Sequence, residues 1–168
     1  MPKHTPPTPD DAFLKQIFLH HLTRIYNAKR FLQHRTPHLI KIASFEALAH
    51  GVEEFGGDVN NQIKRMEEIY KLIGETPSPD VCNPIKSIVK DEFCLDEGQD
   101  VPLLNDLDLM LYLQVLEHIN ITSYRMLIMI AKMLKYDKVK QLLTENFDES
   151  ADNDQLFTLI AKEYITAD

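Results

Sequence analysis

The chain has 168 residues, 44% of them hydrophobic and 26% charged, with a formal net charge of -8. That length suits a single domain burying roughly two-thirds of the surface its unfolded form exposes. The apolar content excludes a disordered chain, and the negative charge disfavours nucleic-acid binding, which needs clustered Lys and Arg to neutralise phosphates.

Five glycines and no Trp argue against a β-rich fold with many tight turns. The opening MPKHTPPTPDD lacks the apolar segment of a secretory signal. No apolar run approaches the roughly 20 residues of a membrane span. A cytoplasmic protein without membrane or nucleic-acid partners is therefore expected. Cys82 and Cys94 form no CxxC pair and are read as reduced structural thiols, with a bridge between them left open.

Residues 1–9 hold four prolines and are expected to form a mobile tail ahead of one domain over residues 10–168. Asp10 or Asp11 offers an N-cap for a first helix with the apolar stripe Leu14, Phe18, Leu22, Ile25 and Leu32. Lys29 occupies the missing step. Pro37 should kink or break this helix near its end. Ser44 is the expected cap of a second helix, striped by Leu48, Val52, Phe55, Val59, Gln62, Met66, Ile69 and Ile73. Gly74 stands where a helix stops. Gly56 and Gly57, inside the helix, suggest close backbone contact or a kink.

The stretch from Glu75 to Val101 reads as a crossover with one short helix around Ile85 to Glu92. A third helix, from about Pro102 to Lys135, carries Leu107, Met110, Gln114, Glu117, Ile121, Tyr124, Ile128 and Ala131. For a fourth, from about Asp137 to Ile165, one candidate face is Val139, Leu143, Phe147, Ala151, Asp154, Thr158 and Ala161. Four long helices, two antiparallel hairpins and one long connection describe a four-helix bundle.

The stripes fail at one level. Lys29 interrupts the first, and Gln62 the second, with Asp58 one turn away. Gln114 and Glu117 interrupt the third, while Ser150, Asn153 and Asp154 crowd the fourth. Polar groups buried there are costly unless paired or coordinated, and ferritin-like bundles place a di-iron site at that level.

Five segments carry a resemblance: RIYNAKRFL followed by Pro37, NNQIKRMEEIYKLIGETP, Cys82 before the short helix, LQVLEHINITSY, and LLTENFDESADNDQL. Their order and spacing resemble the YciE/YciF family of ferritin-like, stress-associated bacterial proteins, from about Leu14 to Ile165. Tyr26, Gln62, Arg65, Glu67, Gln114, Glu117, His118, Tyr124, Glu149 and Asp154 match its motifs. The resemblance implies an all-α, ferritin-like up-down-down-up four-helix bundle with a long crossover carrying one short extra helix.

The departures fall where the resemblance places inward-facing ligands. Lys29 replaces a glutamate, Phe55 and Asp58 replace an H-x-x-E pair, and Asn120 and Ser150 replace two more glutamates. A degenerate di-metal site is therefore expected, with no resident cofactor and no catalytic residue. The Lys29 amine would stand in for the cation and pair with Glu117 or Asp58. The alternative is an altered iron or manganese site drawing on Glu54, Asp58, Glu117, Glu149 and Asp154.

Other candidates are weaker. His34 and His38 are separated by a helix-disturbing Pro37, His50 and Glu53 lie off the apolar stripe, and His118 suits a hydrogen bond at the core margin. Met110, Met126, Met129 and Met133 follow core spacing. No nucleophile elbow or phosphate loop is present. The expected function is a non-enzymatic, stress-associated bundle acting through protein association. The partner is unknown, and a homodimer is possible through Leu109, Leu113, Leu116 and Leu127, unless these leucines complete the monomer core.

Overall fold

The computed structural model describes residues 10–79, 84–90 and 101–166, and is helical throughout apart from caps and connections. The elements are α1 (Asp11–Ile42), α2 (Glu46–Ile73), α3 (Pro84–Lys90), α4 (Pro102–Met133) and α5 (Asp137–Thr166). The expected tail at residues 1–9 and both cysteines lie outside the described residues.

Cross-helix pairs set the direction of each rod. Lys29 meets Glu117 and Ser44 meets Asp106, so α1 and α4 are antiparallel. Phe55 meets Phe157 and Arg65 meets Glu149, so α2 and α5 are antiparallel as well. With hairpins joining α1 to α2 and α4 to α5, the order is up-down-down-up. Short α3 lies in the crossover and inserts Ile85 and Val89 into the core.

Local chemistry explains the helix ends. Asp10 Oδ1 accepts the Phe13 N–H at 2.8 Å and starts α1. Gly74 adopts φ 69°, and the Glu75 N–H bonds the Tyr70 carbonyl at 3.0 Å to close α2. Gly56 lets α1 and α2 approach closely. A Cβ there would sit 2.5 Å from Thr36 Cγ2, the close contact anticipated from the sequence. Nothing lies within 4 Å of where a Gly57 Cβ would be.

Two expectations about these ends are corrected. Pro37 does not break α1, which continues to Ile42. The last turn is anchored by buried Leu39, and the Thr36 hydroxyl donates to the Leu32 carbonyl at 3.1 Å. Ser44 does not cap α2, whose N-cap is Phe45 with no bond from its own side chain. The cap comes from α4. Buried Asp106 accepts the Ser44 N–H at 2.9 Å and the Phe45 N–H at 3.0 Å, and also bonds the Ser44 hydroxyl. A carboxylate at this helix start complements the positive end of the dipole.

The core stripes of α1 and α2 follow the sequence periodicity, although Ile73 is only partly buried. On α4, Met110, Glu117, Ile121, Tyr124 and Ala131 of the expected stripe are buried, whereas Leu107, Gln114 and Ile128 are only partly so. In α4 the inward face includes Leu109, Leu113, Leu116, Tyr124 and Leu127, so the leucines offered as a dimer interface instead complete the monomer core. In α5 it runs through Val139 and Leu143, as expected, and then through Asn146, Ser150, Asn153, Phe157 and Ile160, one position off the candidate face. Of the four methionines noted on α4, only Met110 is fully buried, while Met129 and Met133 are exposed.

Replacing Asp106 with Ala should lower the unfolding free energy by about 1–3 kcal/mol in urea titration, because three donors at the start of α2 lose a charged acceptor. An unchanged midpoint would show that the cap contributes nothing.

Candidate functional site

The polar level is a belt across all four long helices. Lys29 from α1 and Glu117 from α4 are 1% and 0% exposed, and Lys29 Nζ lies 3.2 Å from Glu117 Oε1. The same oxygen accepts Asn120 Nδ2 at 3.2 Å. The Phe55 ring closes the lysine's other side, with its centroid 5.8 Å from Nζ. Four of the positions singled out in the sequence thus meet at one point: Lys29, Phe55, Glu117 and Asn120.

An ion pair taken out of water loses solvation that its own attraction only partly restores. Further polar contacts therefore matter, and the belt provides some of them. Tyr124 donates its hydroxyl to Gln62 Oε1 at 3.3 Å, and burial pushes that hydroxyl well above its ordinary pKa, helped by the charge of Glu117. Asn146 Nδ2 reaches the Gln62 carbonyl at 3.5 Å. Ser150 and Asn153 complete the inward face of α5, both nearly inaccessible. Gln62 Nε2, Glu117 Oε2, Asn120 Oδ1, Ser150 Oγ and Asn153 Nδ2 have no hydrogen-bond partner.

Around this centre stands a frame of cross-helix pairs. Tyr26 donates to Glu67 at 3.1 Å across α1 and α2. Arg65 grips Glu149 with two bonds of 2.7 Å and reaches Glu145 at 3.0 Å, joining α2 to α5. That double grip holds the guanidinium above its usual pKa. Gln114 bonds Asp154 Oδ1 at 3.2 Å and Thr158 at 2.7 Å, and His118 lies 3.4 Å from the same carboxylate. The ten motif-matching residues are thus mostly the frame, and the departures are mostly the centre.

The five carboxylates named as possible ligands do not converge. Glu117 is central, but Glu54 is exposed and Glu149 is taken by Arg65. Asp154 does not turn inward, as expected, but lies on the outer α4–α5 seam, while its neighbour Asn153 enters the core. Asp58 is half-buried and makes no ion pair with Lys29, so Glu117 alone takes the lysine. The four candidate histidines stay outside: His34, His38, His50 and His118 are all exposed.

Residues at this centre do not fit iron or manganese. Such sites need several convergent carboxylates with imidazole, whereas this one offers a single carboxylate facing an amine, an aromatic ring, carboxamides and a hydroxyl. Among the described residues, no three His, Cys, Asp or Glu side chains are grouped to hold a metal ion.

Asn146 went unnoticed in the sequence, although the steps from Leu143 to Asn146 to Ser150 place it inward. Asp106 was also missed, and no local signal connects it to the start of α2.

A model of the domain of unknown function DUF892 matches residues 13–168. The chain belongs to the DUF892 family. It is 24% identical over 149 residues to Protein YciF of Escherichia coli K12, covering 88% of this chain and 90% of that protein. The crystal structure of the E. coli stress protein YciF matches with a TM-score of 0.84 and 22% identity, over 92% of this chain and 98% of that one. YcfI from Rhodopseudomonas palustris matches with a TM-score of 0.81 and 23% identity, over 94% and 98%. These likenesses show that the helical-bundle fold is shared.

Asp58 gives this centre a pH signature. Its pKa is raised above 3.8 by burial first and then by the charge of Glu149. A carboxyl raised on folding favours the native state below its unfolded pKa and loses that contribution as pH rises through the folded value. Asp58→Asn should therefore raise the melting temperature at neutral pH, with the gain shrinking as the pH falls toward about 4. A gain that grows on acidification would contradict this environment.

Proposed function

We propose that the protein is a non-enzymatic, ferritin-like bundle of the cytoplasm that takes part in a stress response through protein association. Its central level is filled by the chain's own side chains. The carrying observation is Lys29 Nζ set 3.2 Å from fully buried Glu117, where a metal-binding bundle needs converging acids. The likeness to a stress protein supports the physiological setting. Among the described residues no helix is long and apolar enough to cross a membrane.

The surface for association is the outer face of α4. Leu104, Leu111, Val115, Met129 and Met133 are exposed along it, and Val115, His118, Ile119, Thr122 and Ser123 line a shallow apolar depression at its middle. Contiguous apolar surface of this kind marks interaction sites. We favour a second copy as the occupant. A two-fold axis near His118 and Ile119 would set Leu104 against Met133 and Leu111 against Met126. The apolar stripe of the helix thus meets its own reversed image. This face replaces the leucines first considered.

An altered metal site, acting as an oxidoreductase or a store, is the competing reading. Protein purified without chelator should carry iron and manganese far below one ion per chain. One or two ions per chain would overturn the preferred reading. Light scattering should give a dimer that the double variant Val115→Glu, Met129→Glu converts to a folded monomer. A wild-type monomer at high concentration would remove the homodimer.

A further inference from the structure

The amine of Lys29, the carboxylate of Glu117 and the carboxamide of Asn120 form a sequestered reactive set. Glu117 Oε1 accepts from Lys29 Nζ at 3.2 Å and from Asn120 Nδ2 at 3.2 Å, so nucleophile and amide are first neighbours of one oxygen. All three side chains are at most 1% exposed, and the Phe55 ring covers the amine. Asn120 Oδ1 and Glu117 Oε2 have no hydrogen-bond partner, so neither is tied to another part of the fold.

We infer that these three residues form an intramolecular isopeptide bond between Lys29 Nζ and Asn120 Cγ, with Glu117 as the proton carrier. Glu117 takes a proton from Nζ, which replaces two buried charges by two neutral groups. The freed lone pair adds to Cγ of Asn120, and the carbonyl electrons move to Oδ1. Glu117 returns its proton to the departing Nδ2 and takes up the second proton of Nζ. The Cγ–Nδ2 bond then breaks and the carbonyl re-forms. Ammonia leaves, Glu117 keeps the last proton so that no unpaired charge stays buried, and no oxidant or reductant is needed.

Holding amine and amide against one carboxylate in a dry site supplies the proximity that free amides lack. The reaction runs once per chain, so it is self-modification rather than turnover. It ties α1 to α4 across the bundle, and the ion pair described above is its precursor. The inference rests on this triad and not on the proposed partner or stress role.

The test is peptide mapping of the full-length, folded protein. Trypsin should leave residues 25–30 joined to the segment ending at Arg125 as one branched peptide, lighter than its parts by one ammonia, about 17 Da. Glu117→Gln and Lys29→Arg should each yield only linear peptides. Asn120→Asp should give the same branched product by loss of water. Linear peptides from the wild type, with a free Lys29 amine, would overturn the inference whatever the variants do. A branched peptide persisting in Glu117→Gln would overturn the role of the carboxylate.

Discussion

The structure depends on accommodating a lysine at the mid-level of four packed helices. Its side chain is buried, and its nitrogen ends on Glu117 beside the Phe55 ring. An ammonium without a partner there would be prohibitive, and so would an unpartnered Glu117. Each therefore requires the other, which fixes the register of α1 against α4. Asn120 and the residues of α5 then shape the rest of that level.

The remaining polar residues divide by position. Tyr26 with Glu67, Arg65 with Glu149 and Gln114 with Asp154 each join two helices near the surface, where solvent lowers the penalty of a polar contact. The frame holds the ferritin-like geometry while the centre differs in chemistry. One fold can thus serve with a metal-ligating interior or with one filled by its own side chains, and fold alone does not decide between them.

The sequence made the architecture legible wherever apolar and polar faces contrast. The α1 and α2 stripes fell on the buried residues, and Lys29 and Glu117 were recognised because each interrupts an otherwise apolar row. On α4, apolar residues surround the helix, so periodicity could not choose between Leu109–Leu113–Leu116 and the face through Leu107 and Ile128. On α5 the buried row is polar through Asn146, Ser150 and Asn153, so the more apolar face through Phe147 and Ala151 drew the assignment away. Asp106 illustrates a third limit. A cap supplied from another helix depends on tertiary packing, which local sequence does not encode.

The most direct measurement is the unfolding free energy of Lys29→Met beside a control at exposed Lys64. Removing one member of a buried pair should cost about 3–5 kcal/mol, with the control within about 0.5 kcal/mol of wild type. A Lys29→Met protein as stable as the control would contradict the placement of this lysine at the heart of the bundle.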